Sequence, residues 1–207
     1  MKHIIHHTTI TALKAMATFV LLLTISSCSE NDPQKEDVPE LITQVTLTFT
    51  PTAGGDPVIV TASDPDGGGV QDLLIDGPIN LEVDKRYLLD IKLTNGLADI
   101  ADPAYNITAE VEEESDEHMF FFSWTSSLFA DPAGDGNIDS RNDKVNYKDE
   151  DKNGLPLGLK TEWTTEKVAA TGVFRVMLKH QPDLKSVSSG SDRGETDVYI
   201  SFDITIQ

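Results

Sequence analysis

The chain has 207 residues, with 16 Lys or Arg against 35 Asp or Glu, for a formal charge of −19 at pH 7. A field of that sign argues against nucleic acid and anionic head groups as partners and favours cations and cationic surfaces, although plain solubility also accounts for acidity. A single cysteine rules out an internal disulfide framework.

At the N-terminus, Lys2, His3 and Lys14 accompany an apolar run from Ala15 to Ile25, and no acid occurs before Glu30. This is the pattern of a secretory signal, and it is too short for the roughly 20 apolar residues of a spanning helix. The run ends Ile25-Ser26-Ser27-Cys28, which reads as a lipobox: an aliphatic residue, two small residues, then a thiol that becomes the diacylglyceryl thioether. Acyl chains contribute about 0.8 kcal/mol per buried methylene, so two or three of them anchor a protein stably. The competing reading is a secreted protein whose signal happens to end near a cysteine. Residues 1–27 are thus expected to be a lipoprotein signal peptide, and 28–40 a lipidated flexible tether, polar and interrupted by prolines. Ser29-Glu30-Asn31-Asp32 resembles the acidic surface-export signal of Bacteroidota lipoproteins, and the resemblance implies a place on the outer face of the outer membrane. From Cys28 onward, 180 residues carry 14 bases and 35 acids, a net −21. That length suits one domain, residues 41–207.

Strand patterns dominate this domain. In 44–50, Val45, Leu47 and Phe49 alternate with threonines, and 57–62 follows a Gly-rich turn. Tyr87, Leu89, Ile91 and Leu93 share one parity, as do Phe174, Val176 and Leu178. The last strand alternates Val198, Ile200, Phe202, Ile204 and Ile206 inward with Tyr199, Ser201, Asp203 and Thr205 outward. The expected fold is all-β, an antiparallel β-sandwich roughly immunoglobulin-like, with one long acidic loop. Residues 107–118 break the pattern: Ile107, Val111 and Glu114 keep helical spacing after Asp102-Pro103, which suits an N-cap and first helical residue. A short helix is predicted there, leading into a strand at 119–124; a continuous strand is the alternative.

Between Trp124 and Val173 lie 48 residues with one predicted strand, Leu157–Trp163. So long a connection in a compact domain is ordered by something or functional. Within it, Asp149, Asp151 and Asn153 alternate before Gly154, the opening of a calcium loop, and the Leu155 carbonyl supplies a further oxygen. An EF-hand ends in a bidentate glutamate, but Lys160 occupies that position, so the segment matches the looser DxDxDG loops, which borrow ligands. Asp135, Asn137, Asp139 and Asp143 are the candidate lenders. An unliganded polar loop, using Asp and Asn for their turn propensity, explains the same residues. Asp64-Pro65-Asp66-Gly67 is a weaker candidate for a cation loop and reads more readily as a type I turn.

Two histidines follow the signal, His118 and His180. Glu114 and Glu117 flank the first, and the second ends its strand on the inward parity. Together they suit Zn²⁺ or another transition metal, with Glu114 or Glu117 giving an oxygen; alternatively each is an ordinary strand-end histidine. Motifs for catalysis (GxSxG, HExxH, a phosphate-cradling glycine loop) do not occur, so a non-catalytic protein is expected. The aromatic residues Phe120, Phe121, Phe122 and Trp124 suit either core or a ligand groove, with core the commoner outcome.

The segments DPDGGG (64–69), DEHMFF (116–121), KDEDKNGLPLGL (148–159), LKHQPDLKS (178–186) and GETDVYISF (194–202) together resemble a family of small surface lipoproteins from Bacteroidota. Members of that family are sometimes found beside TonB-dependent outer-membrane receptors. The resemblance therefore implies a lipid-anchored surface module that captures a ligand or metal beside such a receptor, and it carries over no active site. A structural envelope protein whose fold is stabilised by cations is the alternative, and a hydrolase ranks last.

Overall fold

The computed structural model describes residues 40–64, 67, 73–139 and 143–207. Cys28, Glu30 and Asp32 lie outside the described residues, as does the middle of the turn expected after Asp64. The two apolar parities noted above build two sheets that face each other. One has the order β3-β2-β1-β5-β8-β7, from Leu74–Ile75 (β3), Val58–Ser63 (β2), Gln44–Pro51 (β1), Arg86–Thr94 (β5), Lys160–Thr165 (β8) and Phe129–Asp131 (β7). The other has the order β4-β10-β9-β6, from Ile79–Leu81 (β4), Glu195–Ile206 (β10), Ala170–His180 (β9) and His118–Trp124 (β6). Pairings are antiparallel except β10 with β4. The fold is an all-β sandwich.

The alternation places Val45, Leu47, Phe49, Tyr87, Leu89, Ile91 and Leu93 of the first sheet against Phe174, Val176, Leu178, Val198, Ile200 and Phe202 of the second, all buried. Trp163 closes the centre, with Trp124, Phe129 and Phe174 rings at 4.8–5.0 Å. Phe120, Phe122 and Trp124 are therefore core, each side chain contributing roughly 1.5–3 kcal/mol of apolar burial.

Asp102 caps a 3₁₀ turn at Pro103–Tyr105 by accepting from the Ala104 N–H, and the α-helix proper, α1, begins at Ile107 and ends at Glu113. It stops short of the expected 118 because residues 114–117 turn the chain into β6. Thr108 docks it on β5, its hydroxyl accepting from the Leu93 N–H at 2.7 Å and donating to the Leu93 carbonyl at 3.1 Å.

The long connection is explained by β6, whose outer edge would otherwise expose unpaired backbone. Residues 135–138 and 157 cover it: Trp124 N–H donates to the Asp135 carbonyl, Asn137 N–H to the Phe122 carbonyl and Phe120 N–H to the Leu157 carbonyl. Gly136, at φ +111°, lies so close that an added Cβ would meet the Phe122 carbonyl oxygen at 2.1 Å. The Asn137 side chain accepts from the Phe122 N–H and donates to Tyr147 Oη, which donates to the Phe120 carbonyl. Even the outward-facing Phe121 is thereby buried, against Met119 and Ile138. The strand expected at Leu157–Trp163 forms as β8, starting at Lys160, since the Leu157 carbonyl serves this cover and the Gly158 N–H donates to Asp149.

Candidate metal centre

β6 and β9 pair in a register that sets His118 directly opposite His180. Both lie on the core-facing parity at the end of the sheet where α1 delivers its last residues. Their rings stack with centroids 4.5 Å apart and planes 7° from parallel, and both residues are buried. The two histidines selected from the sequence are thus neighbours.

Around them gather carboxylates from three other places. The backbone carbonyl of Glu114, at the end of α1, accepts from His118 Nδ1 at 3.2 Å, which leaves Nε2 facing the cluster. Glu117 Oε2 lies 3.3 Å from His180 Nε2. Glu40 Oε1 lies 3.0 Å from His118 Nε2, with its side chain 2% exposed. Asp197 Oδ2 lies 3.8 Å from the same nitrogen, with its side chain 1% exposed. One ligand atom each from Glu40, Glu114, His118 and His180 falls within 4.8 Å of all the others, which among the described residues is the one group of three or more such side chains so arranged. Ligands 2.0–2.2 Å from a tetrahedral ion lie about 3.4 Å apart, so closing the cluster needs movements of about an ångström.

The charges respond to one another. Burial alone would push the Glu40 carboxyl up, but the hydrogen bond and charge of His118 outweigh it and hold Glu40 below the usual range. Burial likewise works against a charged His118, yet Glu40 and then Asp197 raise its affinity for a proton above the ordinary value. Asp197 is pushed from 3.8 up to about 7, first by burial and then by the Glu40 charge. Glu40 Oε2 and both Asp197 oxygens lack hydrogen-bond partners among the described residues, while His118 Nε2 has only the Glu40 carboxylate before it. Unpaired buried polar atoms are costly, and a cation at their centre would serve all of them.

Glu40 and Asp197 escape the sequence reading. Glu40 was expected to end the tether, but its buried side chain belongs to the domain. Asp197 has the outward parity of Tyr199 and Ser201; a β-bulge between Thr196 and Val198 displaces it from that alternation. No local residue pattern announces either.

The calcium-loop residues have other partners. Asp149 accepts from Gly158 N–H at 2.8 Å and Lys160 N–H at 3.0 Å. Asp151 Oδ1 accepts from Asn153 and Leu155 N–H, its Oδ2 lies 3.0 Å from Lys185 Nζ, and the Leu155 carbonyl accepts from Asp151 N–H. Of the expected lenders, Asn137 is spent on β6, while the Asp143 carboxyl abuts Asp135 and raises it. Asp135, Asp139 and Asp143 do not join Asp149 and Asp151 in any such cluster among the described residues. Backbone N–H groups and Lys185 order the loop.

No family model, curated protein or solved structure matches this chain. Among the described residues no helix is long and apolar enough to cross a membrane.

Proposed function

We propose that the protein is a non-catalytic metal-capturing module, held by lipid at Cys28 on the outer face of the outer membrane and serving an outer-membrane receptor. The observation that carries the metal reading is the convergence of Glu40, Glu114, His118 and His180 ligand atoms within 4.8 Å of one another. Imidazole and carboxylate donors without thiolate suit Zn²⁺ and its first-row neighbours. The anchor and its orientation rest on Ile25-Ser26-Ser27-Cys28 and the acids that follow. The receptor rests on the resemblance to lipoproteins found beside TonB-dependent receptors.

The near-complete burial of Glu40 and His118 favours a second reading, an ion that is retained to stabilise the fold. Zinc titration into chelator-stripped protein tests both. One ion per chain is expected in the wild type and none in His118→Ala/His180→Ala; equal uptake by the two proteins refutes the metal centre. Rapid exchange of bound zinc with free zinc supports capture, and retention through dialysis supports a structural ion.

A further inference from the structure

Asp197 stands outside the Glu40–Glu114–His118–His180 group but beside it, and is the least expected of its neighbours. Thr196 pairs with Lys179 and Val198 with Leu178, so Asp197 is the extra residue of the bulge, with no cross-strand partner. Strand alternation would point it to solvent beside Tyr199, which is 51% exposed. Instead its side chain is buried, its Oδ2 reaches to 3.8 Å from His118 Nε2, and neither oxygen has a hydrogen-bond partner among the described residues. Bulges re-aim side chains at functional sites, and a carboxylate held this way without a partner needs a reason.

We propose that Asp197 is a fifth ligand of the metal centre, so that the site takes a divalent first-row ion through two imidazoles and three carboxylates. This rests on the metal-binding reading above. Glu40, Glu114 and Asp197 bring three carboxylates to one place and Glu117 adds a fourth beside His180, so the group favours a multivalent cation over a monovalent one. Two nitrogens and three oxygens form a borderline-to-hard donor set, suited to Zn²⁺, Fe²⁺ or Mn²⁺ in higher than tetrahedral coordination and poorly suited to soft Cu(I).

Cobalt(II) is the probe, because its visible bands intensify when coordination falls from five to four. The chelator-stripped protein is titrated with cobalt alongside Asp197→Ala, Asp197→Asn and the exposed neighbour control Glu195→Gln. Outer-shell partners of a metal already matter 10–100-fold, so loss of a ligand is expected to weaken binding by at least about tenfold. The wild type and Glu195→Gln are expected to share weak bands and one Kd, and Asp197→Ala to bind more weakly with stronger bands. Asp197→Asn, which keeps the side-chain shape, carries the same comparison if the alanine variant does not fold. Wild-type Kd and wild-type bands in the Asp197 variants overturn the fifth ligand and leave the metal centre standing. A wild type that takes up no cobalt overturns the metal centre itself, and the fifth ligand with it.

Discussion

Replacing Lys185 with methionine would strand a carboxylate in the interior. The Lys185 ammonium lies 3.0 Å from Asp151 Oδ2 and donates to the Ser115 carbonyl at 2.6 Å, with the two side chains 1% and 0% exposed. One cation thus fastens three segments: the acidic loop through Asp151, the turn after α1 through Ser115, and the 181–190 loop that carries Lys185 itself. Methionine preserves the apolar stem but removes the charge. Breaking a buried pair from one side costs about 3–5 kcal/mol, because the remaining charge stays desolvated. Each kcal/mol lowers Tm by roughly 2–4 °C for a domain of about this size, so a drop of roughly 6–20 °C is expected. Asp151→Asn keeps an oxygen for the Asn153 and Leu155 N–H groups and is expected to cost less. The double variant is expected to cost less than the sum, since the two residues share one interaction. Circular dichroism melts of the four proteins in chelator decide the matter. A Lys185→Met protein melting within about 2 °C of the wild type would show that the pair contributes nothing beyond its parts.

In chelator, the group formed by Glu40, His118 and Asp197 should make stability depend on pH. Asp197 holds its proton to about 7 in the fold against 3.8 ordinarily, so its contribution is full below 3.8 and is lost as pH rises through about 7. His118, raised by Glu40 and Asp197 against its burial, has the same sign, full below 6.5 and lost above; Glu40, lowered, acts oppositely, its contribution present above 4.5 and lost at more acid pH. Tm in chelator is expected to fall from pH 5.5 to 8, and a flat profile counts against these assignments. The acidic loop gives a separate expectation. Asp149→Ala deprives the Gly158 and Lys160 N–H groups of their acceptor and is expected to cost about 1–3 kcal/mol, whereas millimolar calcium leaves the wild-type Tm unchanged. A calcium-dependent rise of several degrees in the wild type, absent in Asp149→Ala, would reinstate an ion in that loop.

Strand identity was legible wherever apolar residues alternate with polar ones, because a residue's face is fixed by its parity within a strand. That is why β1, β5, β9 and β10 and their inward residues could be named from the chain alone, and why His180 could be placed on the core side. The same logic missed Asp197, since one extra residue reverses parity locally and leaves no compositional mark. Glu40 was invisible for a different reason: its partner His118 is 78 positions away along the chain, and polar neighbours made it look like tether. Alternating acids in 149–153 showed that oxygens converge there, but a carboxylate serves a calcium ion, a backbone N–H or a lysine equally well. Sequence sets which donors are available and on which face of a strand they start. Which of them meet depends on strand register, on a bulge and on which distant segment covers an open edge. Those are settled by the packing of the whole domain, where free energy is gained only when every part is in place.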